Sequence, residues 1–325
     1  MTTVETATGP IEGADLGRTL IHEHVFVISP EIQQNYPEEW GDDETRIAQA
    51  VERLTELAAS GIDTIVDPTA IGLGRYIPRI VAIAEQVPLN IVVATGHYTF
   101  NELPHYYQRR APQPGEVDVM TTQFVRDIRD GIADTGIKAA VIKCATDRPG
   151  VTPDVERVLR AAAQAHRETG VPITTHTHAP TRRGLEQQAV FADEGVDLSR
   201  VIIGHSGDTD DFDYLEELLG AGSYLGMDRF GIDGYLPTDE RVRVVAELCE
   251  RGYADRLMLS HDASCYIDWI AGEVPVGAMP NWHYLHISQD VVPALRKVGV
   301  SEADLELMLV GNPRRFLESV AEGGY

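Results

Sequence analysis

The chain's 325 residues carry 51 acidic side chains against 27 basic ones, and the resulting formal charge of -24 argues against nucleic acid or an anionic membrane surface as partner. Apolar residues at 43% and charged residues at 24% describe an ordinary soluble globular chain, with no run near the roughly 18 apolar residues of a membrane span. Three scattered cysteines (Cys144, Cys249, Cys265) rule against a disulfide framework, and Met1 to Gly17 shows no secretory pattern, so the expected compartment is the cytoplasm.

Along the chain, short apolar runs alternate with longer segments of helical character. Strands are predicted at residues 19–27, 63–67, 89–95, 139–144, 172–177, 200–205, 224–227 and 256–260. A helical segment follows each. Thr152-Pro153-Asp154 opens one such helix, and Gly170 followed by Pro172 closes it. The same glycine stop recurs at Glu194-Gly195, Ala221-Gly222 and Arg251-Gly252. Runs such as Ile91-Val92-Val93 and Val201-Ile202-Ile203 are apolar on both faces, as parallel strands covered by helices must be. Eight strand–helix units predict an α/β fold, a (β/α)8 TIM barrel spanning residues 1–325 as a single domain. No GxGxxG or GxxxxGK[ST] motif follows a strand, which weakens nucleotide binding.

Polar residues interrupt these apolar strands at one end. His22 and His24 close the first strand two residues apart, and so share a face. Lys143 ends the fourth, His176 the fifth, His205 the sixth and Asp262 the eighth. These are the C-terminal strand ends, where barrel enzymes build their sites. A lone histidine there is most often a hydrogen-bonded rim residue, but the convergence of all six points to a metal centre. Lys143 decides its kind, because a buried unpaired ammonium is costly and would repel cations. As a Schiff-base nucleophile it would leave the histidines and Asp262 without a task. As a carbamate, formed from the neutral amine and CO2, it becomes an anion able to bridge two metals. Two divalent ions, the carbamate, Asp262 and a bridging hydroxide then leave a net positive charge suited to a developing oxyanion. His178 lies on the same face as His176 and competes with it on spacing alone.

At these residues the chain resembles the phosphotriesterase family of the amidohydrolase superfamily, over nearly its full length. The motifs are Thr19-Leu20-Ile21-His22-Glu23-His24, Ile142-Lys143-Cys144-Ala145-Thr146-Asp147, Thr174-Thr175-His176-Thr177-His178, Ile203-Gly204-His205-Ser206-Gly207-Asp208, Leu225-Gly226-Met227-Asp228-Arg229, Ser260-His261-Asp262 and Asn312-Pro313-Arg314-Arg315-Phe316. The resemblance implies that His22, His24 and Asp262 hold a buried metal, that His176 rather than His178 joins His205 at an exposed one, and that carboxylated Lys143 bridges both. It also implies a homodimer. Tyr98 and Arg229 match positions typical of the family's lactonases rather than of its organophosphate-degrading members. A compact loop at residues 230–237 and a long apolar one at residues 263–282 fit the same subgroup. In the longer loop Tyr266 and Trp269 are candidate substrate contacts, with Trp269 the nearer; a dimer contact is the alternative use of that loop.

The expected activity is lactone opening by a metal-bridging hydroxide, with N-acyl-homoserine lactones as substrates, quorum quenching as the role, and weak phosphotriester hydrolysis on the side. The alternatives are a primary phosphotriesterase and an inactive metal-binding relative. Imidazole and carboxylate ligands admit Zn, Co, Mn or Fe. Of the other histidines, His97 stands where relatives usually carry an apolar residue, His105, His166, His283 and His286 are expected at the surface or in loops, and His261 behind the ligands. Cys144 and Cys265 are expected to serve packing.

Overall fold

Strand alternation sorts the apolar residues into two layers. A computed structural model describes residues 2–270 and 279–318. In it the strands are β1 (Thr3–Thr6), β2 (Gly9–Glu12), β3 (Thr19–Leu20), β4 (His24–Val27), β5 (Thr64–Asp67), β6 (Asn90–Gly96), β7 (Val141–Ala145), β8 (Ile173–His176), β9 (Val201–Ile203), β10 (Tyr224–Met227), β11 (Leu257–Leu259) and β12 (Ser264–Ile267). Val66, Val92, Ile202 and Met258 pack with Ile21 and Val141 in one cluster. Their chain neighbours Ile65, Ile91, Ile203 and Leu257 join Leu54, Phe124, Leu159 and other helix residues in a second. The first cluster fills the barrel and the second lies beneath the helices, as a parallel sheet covered by crossovers requires.

The eight strands β3, β5, β6, β7, β8, β9, β10 and β11 pair in chain order, and every pairing between them is parallel. This is the (β/α)8 barrel that the sequence predicts. The helix from Pro153 to Thr169 begins with the Thr152 hydroxyl accepting from Val155 N–H and ends on left-handed Gly170, at φ 77°. Both of its signals were visible in the sequence.

Two departures from expectation matter for function. The predicted strand at residues 19–27 breaks, with β3 pairing to β5 and β4 to β12. The break gives the barrel its seam: Asp262 N–H donates to His22 C=O at 3.1 Å and His24 N–H to Ala263 C=O at 2.8 Å. Glu23, fully buried between the two histidines, accepts from the Ser260 hydroxyl, from His261 N–H and Nδ1–H, and from Ala263 N–H. One carboxylate thus stitches the first strand to the last. The second departure is the antiparallel hairpin β1–β2, formed where no element was predicted.

Candidate functional site

Six side chains gather at the C-terminal mouth of the barrel. His22 stands in the β3–β4 break and His24 opens β4, while Lys143 occupies the middle of β7 rather than its end and His176 is the last residue of β8. His205 and Asp262 lie beyond the ends of β9 and β11, both in left-handed backbone at φ 60° and 55°. That conformation is uncommon outside glycine, asparagine and aspartate, and it persists where the surroundings enforce it. Gly96 lets β6 approach β7 closely: its φ is 126°, and a Cβ there would lie 1.9 Å from Lys143 C=O.

Hydrogen bonds fix the tautomer of every histidine in the group. Asp228, fully buried, accepts from His22 Nδ1–H at 3.1 Å on one oxygen and from His205 Nδ1–H at 2.9 Å and N–H at 2.7 Å on the other. The Thr69 hydroxyl gives its proton to Asp67 and so accepts from His24 Nδ1–H at 2.7 Å. Asp147 accepts from His176 Nε2–H at 2.7 Å. The remaining lone pairs therefore lie on Nε2 of His22, His24 and His205 and on Nδ1 of His176. Three of them face Asp262, with its oxygens 3.5 Å from His22, 3.3 Å from His24 and 3.8 Å from His205. Lone pairs turned on a carboxylate fit a cation placed between them. Ligand atoms of His22, His205 and Asp262 lie within 4.8 Å of one another.

Electrostatics support the same reading. Burial lowers Lys143 to about 8, against the pull of Asp262 and Asp228, and its Nζ lies 3.0 Å from His22 Nε2. Lowering the amine in this way enriches the neutral form, whose lone pair attacks CO2 to give the carbamate. Burial, then the Arg229 charge, holds His205 well below the usual imidazole range, and burial takes His176 to about 3. His24 goes the other way: burial works to lower it, but the neighbouring Asp262 and Asp67 carboxylates outweigh that. Burial works to raise Asp262, yet Arg229, His205 and His22 keep it well below the carboxylate range.

Arg229 and Tyr98 wall the mouth. Arg229 Nε donates to Asp262 at 2.8 Å and Nη1 to Asp208 at 3.1 Å, while the fully buried Arg241 holds Asp208 from behind at 2.7 Å. The Tyr98 hydroxyl donates to His176 Nδ1 at 3.3 Å. Burial pushes its pKa far up, so the phenol keeps its proton. Trp269 is half-exposed with its ring 6.1 Å from that of Tyr98. Tyr266 is turned elsewhere: it meets Trp40 edge to face and lies beneath the Arg46 guanidinium, lining a cavity of about 600 Å³ beside the first long helix. Val274 and Val276, also expected in the apolar loop, lie outside the described residues.

His178 is taken by Arg148 and Thr181. His261 is buried and bonded to Glu23, as a residue behind the ligands. The expectation that His166 and His286 sit at the surface or in loops is corrected: both are helical and buried, His166 on Val171 C=O and His286 between Thr238 and Asp290. Isolated polar residues on helices carry no sequence signal of the partner that buries them. Glu23, Asp67, Asp147 and Asp228 were likewise given no role from sequence. Asp228 follows β10 directly and Asp147 lies two residues past β7, and a carboxylate just past the end of a barrel strand was the available signal.

The model of the phosphotriesterase family matches residues 2–317. A phosphotriesterase homology protein of Mycobacterium tuberculosis is 62% identical over the whole of both chains. An aryldialkylphosphatase of Saccharolobus solfataricus is 41% identical, covering 94% of this chain and 96% of its own. A solved phosphotriesterase structure from M. tuberculosis superposes with a TM-score of 0.96 at 61% identity, covering 99% of this chain and 100% of its own. The chain belongs to the phosphotriesterase family.

Proposed function

We propose that the protein opens lactone rings, with N-acyl-homoserine lactones as the substrate class and quorum quenching as the consequence. Two divalent ions (Zn, Co, Mn or Fe) would be held by His22, His24 and Asp262 and by His176 and His205, with carboxylated Lys143 between them. The observation that carries the lactone reading is the pair Tyr98 and Arg229, which reach His176 Nδ1 at 3.3 and 3.5 Å.

When bound, the ions supply an activated water and a polarised carbonyl. The chain's own groups do the rest. Tyr98, still protonated, donates toward the oxygen that gains charge as the ring carbonyl is attacked. Asp262, kept anionic by Arg229, takes the proton of the attacking water and returns it to the departing alkoxide. A guanidinium does not release its proton, so Arg229 orients Asp262 and relays nothing. Half-exposed Trp269 beside Tyr98 offers apolar surface to an acyl chain. Tyr266, occupied with Arg46, is left out of that role.

Weak phosphotriester hydrolysis accompanies this activity, since a tetrahedral lactone intermediate and a phosphotriester share a tetrahedral centre bearing an electron-rich oxygen. A primary phosphotriesterase is the second reading, favoured by the name of the 41% identical relative. A pH-stat assay over lactones of graded chain length, beside a phosphotriester and a chelated control, separates them. Higher kcat/KM on a lactone supports the proposal, and faster turnover of the phosphotriester than of every lactone overturns it. Absence of any turnover would leave an inactive metal-binding relative. The same proposal includes a cytoplasmic homodimer: the cysteines among the described residues are unpaired, as in a reducing compartment, and sedimentation at twice the chain mass tests the dimer. No helix of the described residues is long and apolar enough to cross a membrane.

A further inference from the structure

A second group of metal-ligating side chains lies away from the barrel mouth. His283, His286 and Asp290 each bring a ligand atom, all within 4.8 Å of one another. Their spacing of three and four residues puts them on one face of the turn and helix that follow the long loop. We propose that these three residues form a third metal site, for a divalent transition ion such as Zn, Ni or Co. It would hold the return of the loop to the barrel.

His286 is the built part of the site. It is 2% exposed. Its Nε2 meets the Thr238 hydroxyl at 3.0 Å, and that hydroxyl can donate to Asp233, which is also held by Asn281. Nδ1 lies 2.9 Å from Asp290 and donates to it when it carries the ring proton. With the Thr238 hydroxyl donating to Asp233, the proton can instead sit on Nε2 and donate to Thr238, which frees the Nδ1 lone pair for an ion between Nδ1 and Asp290. A fixed ring with its far nitrogen tied through a hydroxyl to a carboxylate is the arrangement that orients metal-bound imidazole. His283 is half-buried with its ring 5.8 Å from that of His286. Binding would displace the His286–Asp290 hydrogen bond and, if His283 binds through Nδ1, a long one from Leu285 N–H at 3.3 Å. Asp290 is exposed, so water completes the shell, and two imidazoles with one carboxylate favour a transition ion over calcium or magnesium.

The location gives the site a task. Trp282, next to His283, donates its indole N–H to the backbone carbonyls of His261 and Asp262. Ile287 N–H, next to His286, donates to His261 Nε2. An ion joining His283 to His286 and Asp290 would therefore clamp the segment that rests on Asp262.

The test uses tag-free full-length protein, loaded with zinc and dialysed against micromolar zinc. Metal per chain is compared between wild type and the His283→Ala, Asp290→Ala double variant. The expected result is one ion more in wild type, with lactone and phosphotriester rates in the variant within about twofold of wild type. A zinc-dependent rise in Tm should also be larger in wild type. Equal metal content in the two proteins overturns the site. Asp290→Asn alone, at an exposed position, guards against a folding defect and should also lose the extra ion. Because the result is a difference between proteins, it stands or falls independently of the centre at Lys143.

Discussion

Asp228 determines the protonation of two histidines that the proposal assigns to different ions. Asp228→Asn leaves one acceptor, which His205 N–H and Nδ1–H already occupy, and turns an NH2 on His22 Nδ1–H. His22 must then adopt the other tautomer and lose its inward lone pair. The expected outcome is a roughly 10- to 100-fold loss of metal affinity in a chelator-competition titration, and wild-type affinity would contradict it. His97 offers a test away from the ligands. It is buried with neither ring nitrogen hydrogen-bonded, and burial lowers it from 6.5 to about 4. In the unfolded chain His97 binds its proton near 6.5, so stability is complete above that pH and falls as pH drops toward 4. The loss amounts to about 3 kcal/mol, constant below pH 4. His97→Leu should flatten that part of the acid limb in urea melts. Parallel wild-type and variant curves would refute this.

At the scale of elements, apolar runs and glycine stops located all eight barrel strands, because parallel strands covered by helices leave a dense hydrophobic signature. The six mouth residues were legible for the complementary reason that polar side chains stand out on apolar strands. What the sequence could not show depends on tertiary pairing. The break between β3 and β4 arises only when Asp262 and Ala263 arrive from the last strand, and β12 exists only against β4. Tyr266 was expected at the substrate because its loop is apolar, yet its place in β12 gives it to Arg46. Glu23 shows the same limit, as its four donors come from residues 260–263. Glu23→Gln keeps its volume but sets an NH2 among those donors. A cost of about 3 kcal/mol in urea unfolding is expected, with weaker metal binding because Asp262 sits on that seam. A variant as stable as wild type would show that the stitch is dispensable.

For the whole molecule, barrel closure and metal binding are linked, because ligands from both sides of the seam would share an ion. An ion bound to the folded chain alone stabilises it by about 4 kcal/mol at a thousandfold excess over Kd. Chelation should therefore lower Tm by several degrees, and metal should restore it in wild type but only weakly in Lys143→Ala. A Tm indifferent to chelation would mean that the centre contributes nothing to folding. The central claim is that Lys143 becomes an anion by taking up CO2. Chelated protein reconstituted with zinc and isotope-labelled bicarbonate, then followed by carbon NMR, tests it directly. The account predicts one labelled carbamate carbon per chain in wild type and none in Lys143→Ala, and full metal loading without label in wild type would contradict it.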